Sequence, residues 1–183
     1  MGKINVVKCY IDGIFIIEPS IICDDRGYFF ESYNEQELNN YGLNCKFVQE
    51  NQFFSKKNVL RGLHYQKKYQ CKKLIRVING KIFDVVVDVR KNSSTYGKIF
   101  TIELSSDNKK QLLITEGFAH GYYVMEDNTE VLFKLSDFWH KDNEVGIPWN
   151  DKKLNIQWPI TNKNEIIIAD KDKNYKQFDF VEE

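Results

Sequence analysis

The stretch LIRVINGKIFDVVVDV, residues 74–89, decides the fold class. Two apolar runs of β type, Leu74–Ile78 and Lys81–Val89, flank the dipeptide Asn79-Gly80. Because both positions of a tight two-residue turn need a positive φ, Asn-Gly is the strongest short-range signal for a hairpin. The stretch therefore predicts a β-hairpin.

Similar pairs of runs recur further along the chain. Gly121–Met125 and Thr129–Leu135 flank Glu126-Asp127-Asn128, which predicts a second hairpin, and Lys98–Leu104 and Gln111–Ile114 flank a polar turn. Many short strands separated by turn residues are typical of an antiparallel sandwich or jelly roll. We expect an all-β, jelly-roll β-sandwich with short peripheral helices.

One helix is predicted at Glu35–Tyr41. Asn34 is a suitable N-cap, Glu37 follows three residues later as in a capping box, and Gly42 can end the helix. The charged stretch from Asp151 onward contains only short apolar runs, and we expect it to wrap around the core.

Length and charge limit the functional classes. A chain of 183 residues, 42% of them apolar, suits one domain spanning residues 1–183 with a sizeable core. Lysine plus arginine and aspartate plus glutamate balance at 26 each, so no overall field attracts nucleic acid or an anionic membrane. A negatively charged ligand must be met by locally placed arginines.

The remaining composition indicates a cytoplasmic protein. Residues 1–18 lack the features of a secretory signal, and no apolar run is long enough to span a bilayer. The cysteines at 9, 23, 45 and 71 are scattered and form no CxxC pair, which favours reduced thiols over disulfides or a zinc site.

The three histidines have different settings. His64 lies in RGLHYQ, His120 lies in EGFAHG among small residues that let a ligand approach, and His140 lies in a charged loop. A Gly-x-x-His step in a jelly roll suggests a cupin, and many cupins bind metal through three or four converging ligands. His64 has no second histidine or carboxylate beside it, so we expect no bound metal. A lone histidine is more often an ordinary core side chain, but Arg61 just before His64 weakens that interpretation.

Proton chemistry is the alternative. Removing a hydrogen next to a ketone needs a positioned base and a cation or donor at the developing enolate oxygen. Histidine titrates near neutral pH and is the commonest base for this purpose. Lys72 and Lys73 could supply the cation, although exposed charges at the start of a strand are an equally good explanation of their spacing.

Ordered segments over nearly the whole chain resemble the dTDP-4-dehydrorhamnose 3,5-epimerase family, which are cofactor-free cupin enzymes. The matching segments are DDRGYFFE (24–31), QEN (49–51), RGLHYQ (61–66), KL (73–74), DVVVDVR (84–90), STYG (94–97), GFAHG (117–121), WND (149–151), IQWP (156–159) and KD (171–172). Each is weak alone, but the ordered set is specific.

The resemblance implies roles for the matching residues. His64 would abstract the protons at C3 and C5 of a dTDP-linked 4-keto-6-deoxyhexose, Asp172 would orient His64, and Lys73 would stabilise the enolate oxygen. The substrate-binding positions would be Arg26, Glu31, Gln49, Asn51, Arg61, His120, Glu144 and Lys171. Arginine suits such a ligand because a guanidinium binds phosphate oxygens bidentately. The family also implies a homodimer that exchanges N-terminal strands, with no cofactor.

One position departs from the family pattern. The family places a proton-donating tyrosine thirteen residues after the second histidine, and this chain has Phe133 there. The aromatic pair six residues on is Phe138-Trp139. Another donor, such as water, Tyr122 or Tyr123, could substitute; the enzyme could invert C3 alone; or the chain could only bind a nucleotide sugar. We expect an epimerase, with 3,5-epimerisation favoured and 3-epimerisation as the rival.

Overall fold

The computed structural model describes residues 3–178. Its main feature is a sandwich of two sheets, which confirms the predicted all-β jelly roll. The first sheet has the strand order β1-β2-β10-β7-β12-β5. Its strands are β1 (Ile4–Lys8), β2 (Ile14–Pro19), β5 (Gln49–Ser55), β7 (Lys73–Asn79), β10 (Gln111–Ile114) and β12 (Thr129–Leu135).

The second sheet has the order β13-β6-β11-β8-β9, and β14 pairs in parallel with β6. Its strands are β6 (Val59–Gln66), β8 (Lys81–Asp88), β9 (Ile99–Ser105), β11 (Phe118–Val124), β13 (Glu144–Gly146) and β14 (Ile167–Ile168). A separate hairpin is formed by β3 (Ile22–Asp24) and β4 (Gly27–Phe29).

The predicted hairpin at Asn79-Gly80 is wrong. β7 and β8 lie in different sheets, since β7 pairs with β10 and β12 whereas β8 pairs with β9 and β11. Gly80 has a φ of +76°, and a Cβ there would lie 2.2 Å from Thr129 Oγ1. The glycine is therefore needed for a tight crossing between the sheets. The predicted hairpin at 126–128 is wrong for the same reason, because β11 and β12 also lie in different sheets.

The short helices are peripheral, as predicted. Helix α1 (Glu35–Asn40) begins after Asn34, whose side chain accepts a hydrogen bond from the Glu37 N–H at 3.2 Å. Gly42, with a φ of +76°, follows its end. Helix α2 (Asp170–Lys173) lies in the C-terminal segment, and 3₁₀ turns occupy Lys141–Asn143 and Lys163–Glu165. No helix within residues 3–178 is both long and apolar enough to cross a bilayer.

Alternation along β8 shows how the sandwich positions polar groups inside. Ile82 and Val86 belong to the core between the two sheets. Val85 and Val87 lie on the opposite face of the strand and pack against residues of the C-terminal segment. Because successive side chains in a strand point to opposite faces, Asp84 shares the inner face with Ile82 and Val86. A carboxylate is thereby placed in the space between the sheets.

Candidate active site

A cavity of about 930 Å³ opens between the two sheets. Its walls come from β5, β7 and β12 of the first sheet, β6 and β11 of the second, and the segment around α2. All but two of the predicted site residues line it: Gln49, Asn51, Arg61, His64, Lys73, His120, Glu144, Lys171 and Asp172. Arg26 and Glu31 do not.

His64 and Asp172 form a hydrogen-bonded pair in this wall. His64 Nε2 lies 2.8 Å from Asp172 Oδ1. A carboxylate only accepts, so Nε2 carries the hydrogen and Nδ1 is left with a lone pair. The His64 side chain is 22% exposed, whereas that of Asp172 is 2% exposed. The pair thus combines an accessible imidazole with a buried carboxylate that fixes its tautomer.

The second oxygen of Asp172 is also held. Gly62 N–H donates to Asp172 Oδ2 at 3.2 Å. Burial raises the pKa of Asp172, but the hydrogen bond and charge of His64 and the bond from Gly62 outweigh it, so this pKa lies below its usual value. Asp172 is therefore ionised beside His64.

A second pair, His120 and Asp84, is more deeply buried. His120 Nε2 lies 2.8 Å from Asp84 Oδ2 and 3.0 Å from Oδ1. Asp84 was not among the predicted site residues. The sequence nevertheless carried a signal, because a carboxylate within the apolar run IFDVVV must find a partner when the strand is buried.

Lys73 reaches the cavity from the start of β7. Burial lowers the pKa of its ammonium, while Cys71, Asp84 and Glu144 act in the opposite direction. Within residues 3–178 the ammonium makes no hydrogen bond or ion pair. In contrast, the Lys72 ammonium donates to the Leu43 and Asn44 carbonyl oxygens, outside the cavity. The structure therefore brings Lys73, and not Lys72, to the site.

Charged and aromatic groups meet around Glu144. Lys171 Nζ lies 2.5 Å from Glu144 Oε1, and Trp139 Nε1 donates to Oε2 at 3.1 Å. Burial raises the pKa of Glu144, but Lys171, His64 and Trp139 outweigh it and lower this pKa. Trp139 lines the cavity and Phe138 does not, which distinguishes the members of this aromatic pair.

Polar side chains of β5 and β6 complete the lining. The Arg61 guanidinium donates to Ser55 Oγ at 3.2–3.3 Å, and Gln49 Nε2 donates to Asn51 Oδ1 at 3.0 Å. The Gln49 side-chain oxygen accepts from the Trp139 backbone N–H at 3.1 Å. These bonds orient amide and guanidinium groups in the cavity wall before any ligand binds.

Phe133 forms an aromatic wall opposite the second sheet. Its ring centroid lies 5.3 Å from that of His120, 5.2 Å from that of Phe53 and 5.9 Å from that of Tyr122. Phe133 lines the cavity, and its side chain has no acidic proton.

The match to known proteins decides the family. The model of the dTDP-4-dehydrorhamnose 3,5-epimerases matches residues 8–179. This chain belongs to that family. It is accordingly an isomerase of the epimerase class, and the predicted resemblance is confirmed. Within residues 3–178, no three histidine, cysteine, aspartate or glutamate side chains are grouped so that they could hold a metal ion.

Individual epimerases show the extent of the likeness. The dTDP-4-dehydrorhamnose 3,5-epimerase of Methanothermobacter thermautotrophicus is 44% identical over 176 residues, covering 96% of this chain and 95% of that one. The structure of a Legionella pneumophila dTDP-6-deoxy-D-glucose-3,5-epimerase, in complex with dTDP-4-keto-L-rhamnose, superimposes with a TM-score of 0.92 at 38% identity, covering 98% and 95%. A 3'-monoepimerase from Streptomyces bikiniensis, in complex with dTDP-quinovose, gives a TM-score of 0.87 at 26% identity, covering 93% and 86%.

The two predicted residues outside the cavity lie near the N-terminal hairpin of this epimerase. Arg26 is in the turn between β3 and β4, its side chain is 90% exposed, and its guanidinium lies 2.5 Å from Asp24 Oδ2. Glu31 accepts a hydrogen bond from Asn34 Nδ2 at 3.0 Å. Within one chain, the structure does not bring Arg26 or Glu31 to the site.

Proposed function

We propose that this protein epimerises a dTDP-linked 4-keto-6-deoxyhexose at C3 and C5, converting dTDP-4-dehydro-6-deoxyglucose to dTDP-4-dehydrorhamnose through enolates. The pairing of accessible His64 with buried Asp172 at the cavity wall carries this proposal. Family membership supports the choice of substrate.

His64 acts as the general base. Its Nε2–H is engaged by Asp172, so Nδ1 accepts the proton from the carbon next to the ketone. The ionised Asp172 stabilises the imidazolium that results. Lys73, with an ammonium that no protein group engages within residues 3–178, stabilises the negative charge on the enolate oxygen.

The nucleotide diphosphate is bound by basic and polar groups. Arg61 and Lys171 line the same cavity as His64 and supply positive charge for phosphate oxygens. Gln49, Asn51, Glu144 and His120 line it as well and offer hydrogen bonds to the sugar or nucleotide. The chain as a whole has no net charge, so binding depends on these local groups.

A second candidate is epimerisation at C3 alone, favoured by Phe133. Because phenylalanine cannot donate a proton, the donor that serves one centre could be missing. The likeness to the Streptomyces bikiniensis 3'-monoepimerase supports this candidate, because a structurally similar protein is described as an epimerase of one centre.

Reaction in heavy water separates these functions. The purified protein is incubated with dTDP-4-dehydro-6-deoxyglucose in D₂O, and deuterium at each carbon is followed by NMR. Deuterium at C3 and C5 with inversion supports 3,5-epimerisation, and deuterium at C3 only supports the second candidate. Deuterium at neither carbon, in a protein that the nucleotide sugar still protects against heating, would show a binding protein without enolate chemistry.

We also propose that residues 1–183 form one domain and that two copies assemble as a homodimer by exchanging N-terminal strands. Apolar side chains of the β3–β4 hairpin support this, since Ile22, Tyr28 and Phe29 are all more than half exposed. Arg26 lies in the same hairpin, and we infer that it and Glu31 complete the site of the partner copy.

The four free cysteines fit a reducing, cytoplasmic compartment.

Mixing two variants tests the exchange. Arg26→Ala and His64→Ala each weaken or abolish activity, but a mixed dimer holds one site with both native residues. After unfolding and refolding together, an equal mixture should recover about a quarter of wild-type activity, as random pairing in a twofold dimer gives. No recovery would contradict the contribution of Arg26 across the interface.

A further inference from the structure

Tyr122 contacts both His120 and Phe133, the residue at the position where the family places its proton-donating tyrosine. It lies on β11 two residues after His120, so both side chains point into the space between the sheets. Its ring centroid lies 6.3 Å from that of His120 and 5.9 Å from that of Phe133 on the opposite sheet. Tyr122 also lines the cavity.

The hydroxyl of Tyr122 makes no hydrogen bond of normal length and angle, although the Ser55 side chain lies close enough to lower its pKa. Within residues 3–178 it is the one fully buried side-chain nitrogen or oxygen without such a bond. By contrast, the hydroxyl of the next residue, Tyr123, donates to Asn58 Oδ1 at 2.7 Å, and Tyr123 does not line the cavity. Leaving a buried polar group unpaired is unfavourable, so an orphan hydroxyl in the wall of an active site suggests a partner that arrives with the substrate.

The surroundings of Tyr122 favour a proton donor. Burial raises its pKa to about 12, while Arg61 and Ser55 act in the opposite direction. The phenol therefore keeps its proton at neutral pH. Ser55 ends β5 of the first sheet, and Phe133 belongs to the same sheet. These neighbours place the hydroxyl end of the Tyr122 side chain against the first sheet, whereas His64 belongs to the second sheet.

We propose that Tyr122 is the general acid of this epimerase and delivers a proton to the enolate carbon on the side away from His64. This proposal rests on the function proposed above.

In the first half-step the C–H bond breaks, its electron pair forms the enolate, and the proton passes to His64 Nδ1. In the second, the enolate pair forms a new C–H bond with the Tyr122 proton, and the phenol O–H electrons remain on a phenolate. Solvent then protonates Tyr122 and removes the proton from His64.

Tyr122→Phe separates proton removal from proton return. In D₂O, His64 should still remove hydrogen from C3 and return deuterium to the same face. Inversion should fall by a factor of about 100 or more, the usual effect of losing a general acid. The result is deuterium at C3 with retained configuration, which damage to the fold would not produce. The melting temperature should not fall, because the change removes an unpaired buried hydroxyl.

Two further variants complete the test. Tyr123→Phe, the matched control, should exchange and invert at the wild-type rates, since its hydroxyl lies outside the cavity. The double variant Tyr122→Phe/Phe133→Tyr should recover inversion, because it returns a phenol to a ring that contacts the same space.

Three results would overturn the assignment. They are wild-type inversion by Tyr122→Phe, loss of exchange together with inversion in that variant, and a double variant that exchanges C3 without recovering inversion. Absence of exchange and inversion in the wild-type protein would instead contradict the proposed function itself.

Discussion

Replacing Asp172 by asparagine is expected to disable the base without changing the shape of the site. Asp172 accepts hydrogen bonds from His64 Nε2 at 2.8 Å and from the Gly62 N–H at 3.2 Å. If the asparagine oxygen keeps the bond to Gly62, its NH₂ group faces Nε2. The imidazole must then move its hydrogen to Nδ1, and the lone pair that should accept the substrate proton is lost from that atom.

The size of the rate loss follows from the hydrogen bond between His64 and Asp172 that the substitution weakens. A hydrogen bond to a charged group contributes about 1.5–3 kcal/mol, and each 1.36 kcal/mol is a factor of ten in rate, which gives about 10- to 150-fold. The wrong tautomer adds to this, so we expect deuterium incorporation at C3 to slow by about 10² to 10⁴, the range for losing general base catalysis. The assay is NMR-detected exchange in D₂O at saturating nucleotide sugar.

Asp170→Asn is the matched control. Asp170 lies in the same short helix and also carries a carboxylate, but its side chain is 93% exposed and, among the residues that the structure describes, pairs only with Lys173. This variant should exchange at the wild-type rate. If Asp172→Asn also stayed within a few-fold of wild type, Asp172 would not be the residue that orients His64.

Three further predictions concern the lysine pair, a glycine and a buried acid. Lys73→Gln should slow C3 exchange by about 10² or more, since it removes the cation at the enolate oxygen, whereas Lys72→Gln should leave exchange unchanged at saturating substrate. Gly62→Ala should lower the free energy of unfolding, measured with urea, by several kcal/mol. The reason is that Gly62 has a φ of +103° and a Cβ there would lie 2.7 Å from the His120 carbonyl oxygen. The control Gly42→Ala, at a φ of +76° in open space, should cost about 1 kcal/mol, and equal losses in the two variants would exclude the steric explanation. Burial raises the pKa of Asp88, but hydrogen bonds from an arginine and two hydroxyls lower it from 3.8 to about 2. Its ionisation should therefore add about 2 kcal/mol to the free energy of unfolding above pH 5, and this contribution should be lost as the pH falls from 4 to 2. The stability difference between Asp88→Asn and wild type should shrink over that range. A constant difference would contradict this prediction.

Local chemistry predicted the strands well but not the way they pair. The runs around Asn79-Gly80 do form strands, and the glycine does adopt a positive φ. A tight turn, however, serves equally well for a hairpin and for a crossing between two sheets. Close contact with Thr129 distinguishes the two cases, and that contact depends on a distant part of the chain.

The site was predicted where the residues themselves carry the chemistry. His64, Lys73 and Asp172 come from distant segments, and ordered motifs of a known family were needed to group them. Asp84 was missed although its burial in an apolar strand required a partner. The sequence named Tyr122 and Tyr123 as equal alternatives, and only the structure shows that one hydroxyl is engaged outside the cavity whereas the other is unpaired beside it.

The most direct test of the account is His64→Ala with dTDP-4-dehydro-6-deoxyglucose in D₂O, with binding followed in parallel by thermal protection. The account predicts that deuterium incorporation at C3 and C5 disappears, because the base that removes both protons is gone. The nucleotide sugar should still raise the melting temperature, since Arg61 and Lys171 remain in the cavity. Exchange at a wild-type rate in His64→Ala would contradict the central claim that His64 is the base.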